Sequence, residues 1–441
     1  MSPQSSAAFV ADFRQAAPYI HYLSGKTIVL AVSSHVLLAD KLASLAKDIQ
    51  LLASLGVRLV LVHGTRQYLN NMMHAAGETL SYHRGWRITD EATLQQVKQA
   101  CGMVRFDIEA ALSSSPAQMP DRNQRRLRVA SGNFLLAKPL GVLDGIDMGY
   151  TGRIRKVDAE AIQQRLNEGC LVLVSPLGQS LSGKSFNLGL DDAAQALAVT
   201  LKAEKLVFLA SEDGVRSTDG ALLSQLTAAE AQALLDNNAH SADMSRMLKA
   251  AIYVLENGVR RAHILCGLND GSLIAELFTR QGSGTALAQS SFMRIRAADN
   301  HDIGDIIDLI APLESAGILL PRNREYLENH IHEFSVLEHD CHVYGCVALK
   351  VFEQQHIGEL ACLVVSPDAQ DGGYGELLLD YVLKQAKARG VSTLFALSTN
   401  TGDWFDERGF ETAELSELPP ERQEQYLQNK RRSKIYRRSL V

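Results

Sequence analysis

Six residues in the last fifth of the chain, Gln370, Asp371, Gly372, Gly373, Tyr374 and Gly375, have the makings of a phosphate-holding loop. Their glycines leave backbone N–H groups uncovered. After them Leu377, Leu378, Tyr381, Val382 and Ala386 recur at helical spacing up to a stop at Gly390. The loop therefore opens a helix, whose unpaired N–H groups and dipole favour a pyrophosphate. Before it, Glu359 to Val365 is rich in strand formers and ends at Ser366-Pro367. Two familiar phosphate loops do not fit this strand, turn and helix. A P-loop requires Lys and then Ser or Thr after its last glycine, where Glu376-Leu377 stands here. The dinucleotide fingerprint requires G-x-G-x-x-G, and the spacing here is Q-x-x-G-x-G.

With the preceding V-x-P, that pattern resembles motif A of the GNAT acetyltransferases. The resemblance implies that Gln370 to Gly375 and Glu376 hold the pyrophosphate of acetyl-CoA. It also implies that backbone groups of Cys362, Leu363, Val364 and Val365 hold the thioester and pantetheine arm. An ammonium has no lone pair to attack with, so acetyl transfer to an amine needs a base. Glu359 is the carboxylate nearest the expected thioester and is assigned that role, directly or through water. Many GNAT enzymes protonate the leaving thiolate with a Tyr where this chain has Phe405, so Ser398, at the end of the next strand, is the candidate acid.

The elements that must carry these residues fall into two regions. At 441 residues, two domains are expected, each with its own core. A hydrophobic content of 46%, a charged content of 21% and a net charge of −6 give no case for nucleic acid or an anionic membrane. Without a signal-like N-terminus or a span of about 20 apolar residues, a cytoplasmic protein is expected. The six cysteines form no C-x-x-C pair, and His330-x-His332 reads as a solvated helix face, so free thiols and no metal are expected.

From the N-terminus, residues 9 to 23 read as an amphipathic helix kinked or broken at Pro18. A βαβ opening follows, with strands Thr27–Val32 and Val57–His63 around a helix from Leu37 to Leu55. Helices near Arg66–Ala76 and Glu91–Leu112 come next, then short apolar strands Leu171–Val174, Lys205–Ala210 and Ala262–Cys266 alternating with helices. This alternation predicts an α/β domain: a mainly parallel sheet covered on both faces. Small polar residues mark 284–291 as the linker between an N-terminal domain, 1–283, and a C-terminal α+β domain with a mixed sheet, 292–441.

The N-terminal region resembles the amino-acid kinase family, acetylglutamate kinase in particular. The resemblance is carried by P-Y-I…G-K-T from Pro18, L-G-V-R-L-V-L-V-H-G from Leu55, R-I-T-D from Arg87, S-G-N-F from Ser131, A-E-K-L from Ala203 and E-L-F-T-R-Q-G-S-G-T from Glu276. The departures are equally informative. Ala31-Val32-Ser33-Ser34 stands where the kinases have a phosphate-binding lysine and glycines, and Gly64-Thr65-Arg66 replaces a glycine run. Met247 takes a second lysine's place, and Ala242-Asp243 a glycine pair's. Phosphoryl transfer relies on positioned charge and backbone donors, so this is read as a kinase fold without kinase chemistry. The resemblance further implies an arginine feedback site at Tyr19, Lys205, Glu276, Gly282 and Gly284. There Glu276 would take paired hydrogen bonds from a guanidinium. The competing reading makes Lys205 and Glu276 solvated helix-end charges.

A kinase-like domain followed by a GNAT domain resembles one family over essentially the whole chain, the N-acetylglutamate synthases. Ile318 to Arg324 and Lys430 to Lys434 share that likeness. It implies L-glutamate as acceptor, held by Arg322, Arg431 and Ser433 with Lys350 and Arg432 as possible additions. It also implies acetyl-CoA as donor, L-arginine as inhibitor and a homo-oligomer, suspected to be a hexamer. The alternatives are a working acetylglutamate kinase and a non-catalytic arginine-sensing module.

Overall fold

The computed structural model describes residues 3–38, 41–77, 79–114, 127–237, 240–279, 281–290, 293–339, 342–367, 373–399, 402–428 and 433–440. It divides into two compact units, Met1–Ser291 and Phe292–Val441.

The first unit is built on an eight-stranded sheet. Its order is Gln225–Thr227, Thr285–Ala288, Arg261–Cys266, Lys205–Ala210, Thr27–Val32, Arg58–His63, Cys170–Val174 and Arg128–Ser131. Every neighbouring pair is parallel except Thr285–Ala288 against Arg261–Cys266. Strand side chains alternate between faces, and the alternation separates two cores. Val29, Ala31, Val60 and Val62 pack with Leu197, Leu248 and Ala251 of the helices Leu190–Thr200 and Ala242–Glu256. Ile28, Leu30, Leu59 and Leu61 pack with Ile49, Leu52, Ile108 and Leu277 from helices on the other side. The result is the expected αβα sandwich.

Four local expectations change. Thr285–Ala288, placed in the linker by its small residues, is a strand whose Leu287 and Ala288 are fully buried. Small side chains suit a strand wedged between two neighbours as well as they suit a tether. The helix expected from Leu37 to Leu55 is two, Ser34–Leu38 and Leu42–Ser54. Of the kink or break expected at Pro18, the break is excluded, since helix Pro3–Leu23 continues through it; the ring removes one N–H donor without ending the helix. A separate four-stranded sheet, Ser185–Asn187, Leu177–Gln179, Leu135–Pro139 and Gly152–Val157, was not foreseen.

The second unit holds a seven-stranded mixed sheet in the order Met293–Ala297, Phe334–His339, His342–Phe352, Ile357–Val365, Thr393–Ser398, Lys434–Ser439 and Glu411–Ala413. Helix Arg324–His330 stops short of Phe334, which, 1% exposed, starts a buried strand. Ile357–Val365 and Thr393–Ser398 form the sheet's parallel pair and are joined by the crossover helix Tyr374–Ala388. Their pairing runs from Ile357↔Thr393 to Leu360↔Ala396, although the first strand continues to Val365. On its other side that strand stays paired with His342–Phe352, except that Cys362 and Leu363 together face Val347. This bulge puts Cys362 at φ 53°, a left-handed conformation that costs a non-glycine residue about 1–2 kcal/mol.

Cys101, Cys266, Cys346 and Cys362 are buried free thiols, and Cys170 is a half-buried one. Among the described residues no helix is long and apolar enough to cross a membrane. No group of three or more His, Cys, Asp or Glu among them could hold a metal ion.

Candidate active site

The strand Ile357–Val365 does two things at once. Its first half is hydrogen-bonded on both sides and fixes Glu359 between Lys350 and Phe395. Its second half, beyond Leu360, has no ladder to Thr393–Ser398. An extended ligand arm can lie along such an edge, where strand N–H and C=O groups look for partners. From Glu359 to Val365, six residues at about 3.3 Å span roughly 20 Å, and the chain then passes Pro367 toward the glycine loop. Gly373, at φ 67°, caps the helix Tyr374–Ala388. The ring of Trp404 lies 3.7 Å from where a Cβ on Gly375 would stand. Tyr374 packs against the core, and Glu376 lies 3.8 Å from Arg408. Gln370, Asp371 and Gly372 lie outside the described residues.

A cavity opens beside the first half of the strand. Glu359, Leu360, Ala361 and Cys362 form one wall. Ile318, Leu319, Leu320 and Arg322 line another, from the segment between helices Ile303–Ser315 and Arg324–His330, with Leu397, Arg422, Tyr426 and Ser433 completing it. Glu359, Cys362, Arg322 and Ser433, chosen from sequence, thus meet around one space. Arg431 and Arg432 lie outside the described residues. Lys350 is opposite Glu359 in register, its ammonium 5.0 Å from the Phe352 ring. Ser398 ends its strand opposite Lys434 and is not among the cavity-lining residues. Phe405 is buried against Phe410 and Tyr436.

Two lining side chains were not foreseen. Arg422 donates from Nε and Nη2 to the two oxygens of Glu359, at 2.7 and 2.9 Å, with both side chains about nine-tenths buried. One turn later on helix Pro420–Gln428, Tyr426 donates its hydroxyl to the carbonyl of Ser433, 2.7 Å away. Their only sequence signal is an Arg and a Tyr four residues apart, which share a helix face. Arg322 stands with its guanidinium 6.0 Å from the Tyr326 ring, and its backbone N–H is held by Glu314 at 2.8 Å.

The first unit contains its own polar cluster. Lys205 Nζ lies 3.2 Å from His263 Nε2, and His263 Nδ1 lies 2.6 Å from Glu276 Oε1. Oε2 of Glu276 accepts from the N–H groups of Ser283 at 2.6 Å and Gly284 at 3.0 Å. Lys205 and Glu276 are 9% and 7% exposed, so they are not solvated helix-end charges. Burial alone would raise the Glu276 carboxyl. The bond to His263, its charge and the two backbone donors outweigh burial and hold it down at about 2. A carboxylate offers about four lone-pair positions, and three are filled, so the paired hydrogen bonds expected from a guanidinium would need one position more than is left. Gly282, at φ 66°, lies so close that a Cβ there would meet Glu276 Oε2 at 2.7 Å; one on Gly284 would meet the Ile264 carbonyl at 2.4 Å. Tyr19 packs nearby against the core under helix Pro3–Leu23. His263 was missed although a histidine inside A-H-I-L-C marks itself.

At the positions of the kinase lysines, Ala31 and Met247 are core residues. Arg66 pairs with Asp243 at 2.8 Å, and Arg246 with Asp191 at 3.2 Å.

Residues 26–266 match the Amino acid kinase family, and residues 304–410 the Acetyltransferase (GNAT) family. An amino-acid acetyltransferase of Neisseria meningitidis serogroup A is 50% identical over 435 residues, covering 98% of each chain. The crystal structure of N-acetylglutamate synthase from Neisseria gonorrhoeae complexed with coenzyme A and L-arginine is 49% identical and superposes with a TM-score of 0.89, covering 98% of this chain and 99% of that one. A second structure of the Neisseria gonorrhoeae enzyme, complexed with coenzyme A and N-acetyl-glutamate, is 50% identical over the same shares with a TM-score of 0.63.

Proposed function

The chain belongs to the amino-acid acetyltransferase family, and from that premise we propose that it acetylates the α-amino group of L-glutamate with acetyl-CoA and is inhibited by L-arginine. The observation that carries this reading is the convergence of Glu359, Arg322 and Ser433 on one cavity beside the unpaired half of the motif strand. The related structures holding coenzyme A with N-acetyl-glutamate or L-arginine support the choice of ligands.

Gly373, the helix N-terminus behind it and the loop from Gln370 hold the pyrophosphate of acetyl-CoA. The arm follows Val365 back to Cys362, where backbone N–H groups face the thioester carbonyl. A dicarboxylic amino acid needs cationic partners at both ends. Arg322 supplies one, Arg431 is assigned as the other, and Ser433 adds a hydroxyl at the cavity. Glu359 takes a proton from the ammonium, directly or through water, and the freed lone pair attacks the thioester carbon. As the tetrahedral centre collapses, the C–S bond breaks and its electron pair leaves on sulfur. With a thiol reference value of about 8.5, that thiolate departs with little help; Ser398 is the assigned donor of a proton to sulfur, and the second proton that the nitrogen sheds as the amide forms replaces it.

In the first unit, Lys205 holds the α-carboxylate of L-arginine and Glu276 its guanidinium, with the backbone at Gly282 and Gly284 closing over them and Tyr19 flanking the site. Inhibition is then a coupling between two sites, reciprocal in the binding of arginine and of the substrates. The test is steady-state release of CoA thiol from acetyl-CoA with a panel of amino acids. Release that requires L-glutamate and falls as arginine is added supports the reading. Equal rates with monocarboxylic amino acids would overturn the glutamate assignment.

A further inference from the structure

Arg422 has so far been given no task, although it is the residue that touches the assigned base. Its two donors meet the two carboxylate oxygens of Glu359 side by side at 2.7 and 2.9 Å. Such a fork fixes the plane of the carboxylate as well as its position, which a single hydrogen bond or a point charge would not. The backbone of Glu359 is already held by ladders to both neighbouring strands. The remaining freedom is in its side-chain torsions, and the fork removes it. Arg422 comes from a different element, in the first turn of Pro420–Gln428, whose far end leads through Tyr426 to Ser433. The base and one of the pocket's hydroxyls are therefore tied to the same short helix.

We propose that Arg422 is a positioning residue for acetyl transfer, acting through Glu359 by holding its carboxylate at the cavity wall, and not by gripping the amino acid. The proposal rests on the reading of Glu359 as base. A base displaced by about 1 Å costs on the order of 10²-fold in rate. Loss of Arg422 should therefore appear in kcat, with little change in the KM for the amino acid. Two residues acting as one unit are strongly non-additive when both are changed.

The test is a double-mutant cycle of Arg422→Gln and Glu359→Gln in the full-length protein, with kcat, the KM for L-glutamate and acetyl-CoA affinity measured for all four proteins. Arg422→Gln alone should lose roughly 10- to 100-fold in kcat, while the same change in the Glu359→Gln background should cost less than about twofold. Arg422→Lys keeps the charge but not the fork, and should fall between the wild type and Arg422→Gln in kcat; it also serves if the Gln variant fails to fold. Equal losses in both backgrounds, or a loss confined to KM, would overturn the proposal and place Arg422 on the substrate. A full-speed Glu359→Gln protein would instead remove the base assignment, and this proposal with it.

Discussion

Two buried glutamates, Glu276 in the first unit and Glu359 in the second, are satisfied by opposite means. Glu276 is held by a histidine of the adjoining strand and by two backbone N–H groups of the loop that follows its own helix. Glu359 is held by the guanidinium of Arg422, sixty-three residues away in sequence. Backbone donors cannot leave, so the carboxylate they hold is a fixed negative point, which is what the proposed grip on arginine requires. A side-chain fork at a cavity wall leaves the carboxylate facing the space where an amine would sit. The comparison teaches that burial alone does not tell two carboxylates apart; the kind of donor that compensates each one does.

The contrast can be broken from either side. The largest effect is expected at Glu359. Glu359→Gln keeps the shape and removes the proton acceptor, so kcat should fall by roughly 10²–10⁴-fold while acetyl-CoA binding holds. Turnover at the wild-type rate near neutral pH would remove the base assignment. Next is Glu276→Gln, a cleaner probe than alanine, which would also strip the acceptor from Ser283 and Gly284. Losing one charge-assisted bond of about 1.5–3 kcal/mol should weaken arginine binding roughly 10- to 150-fold. Titration calorimetry with arginine reads this directly, and an unchanged isotherm would place arginine elsewhere.

A third change sharpens the comparison by touching neither glutamate. In Gly373→Val the free turn relaxes away from φ 67° and binding must restore it at a cost of about 1–2 kcal/mol, so acetyl-CoA affinity should drop roughly 5- to 30-fold. Equilibrium binding of acetyl-CoA measures the change; unaltered affinity would dissociate the glycine turn from the pyrophosphate. The last effect is read on folding and not on ligands, as stability against pH. Because Glu276 sits at about 2 in the fold against an ordinary 4.5, its stabilisation is complete above pH 4.5. It is lost as pH falls from there toward 2, and amounts to on the order of 3 kcal/mol. Melting temperatures of wild type and Glu276→Gln should converge across that window. Parallel curves would mean that the carboxylate is not held ionised.

The strand through Glu359 to Val365 and the helix that begins at Tyr374 were readable in the sequence because strand-forming composition and apolar periodicity are local signals. The alternating strands of the first unit were readable for the same reason. What escaped depends on contacts distant in sequence. Arg422 lies in P-E-R-Q-E-Q-Y-L-Q, a polar helix that looks solvated until the motif strand is placed beside it. Lys434–Ser439, with its basic residues, looks like a tail, yet Ile435 and Tyr436 are buried and the strand pairs along the whole of Thr393–Ser398. Thr285–Ala288 has a linker's small residues and becomes a strand because two neighbouring strands take up its hydrogen bonds.

The division of labour between the two units is most directly tested by offering the pure protein acetyl-CoA and ATP together, with L-glutamate and N-acetyl-L-glutamate, and identifying the products by mass spectrometry. With Ala31 and Met247 in the hydrophobic core where kinase lysines would stand, the account predicts new N-acetyl-L-glutamate and free CoA in equal amounts, with ATP untouched. Formation of ADP with an acyl phosphate, and no free CoA, would contradict it.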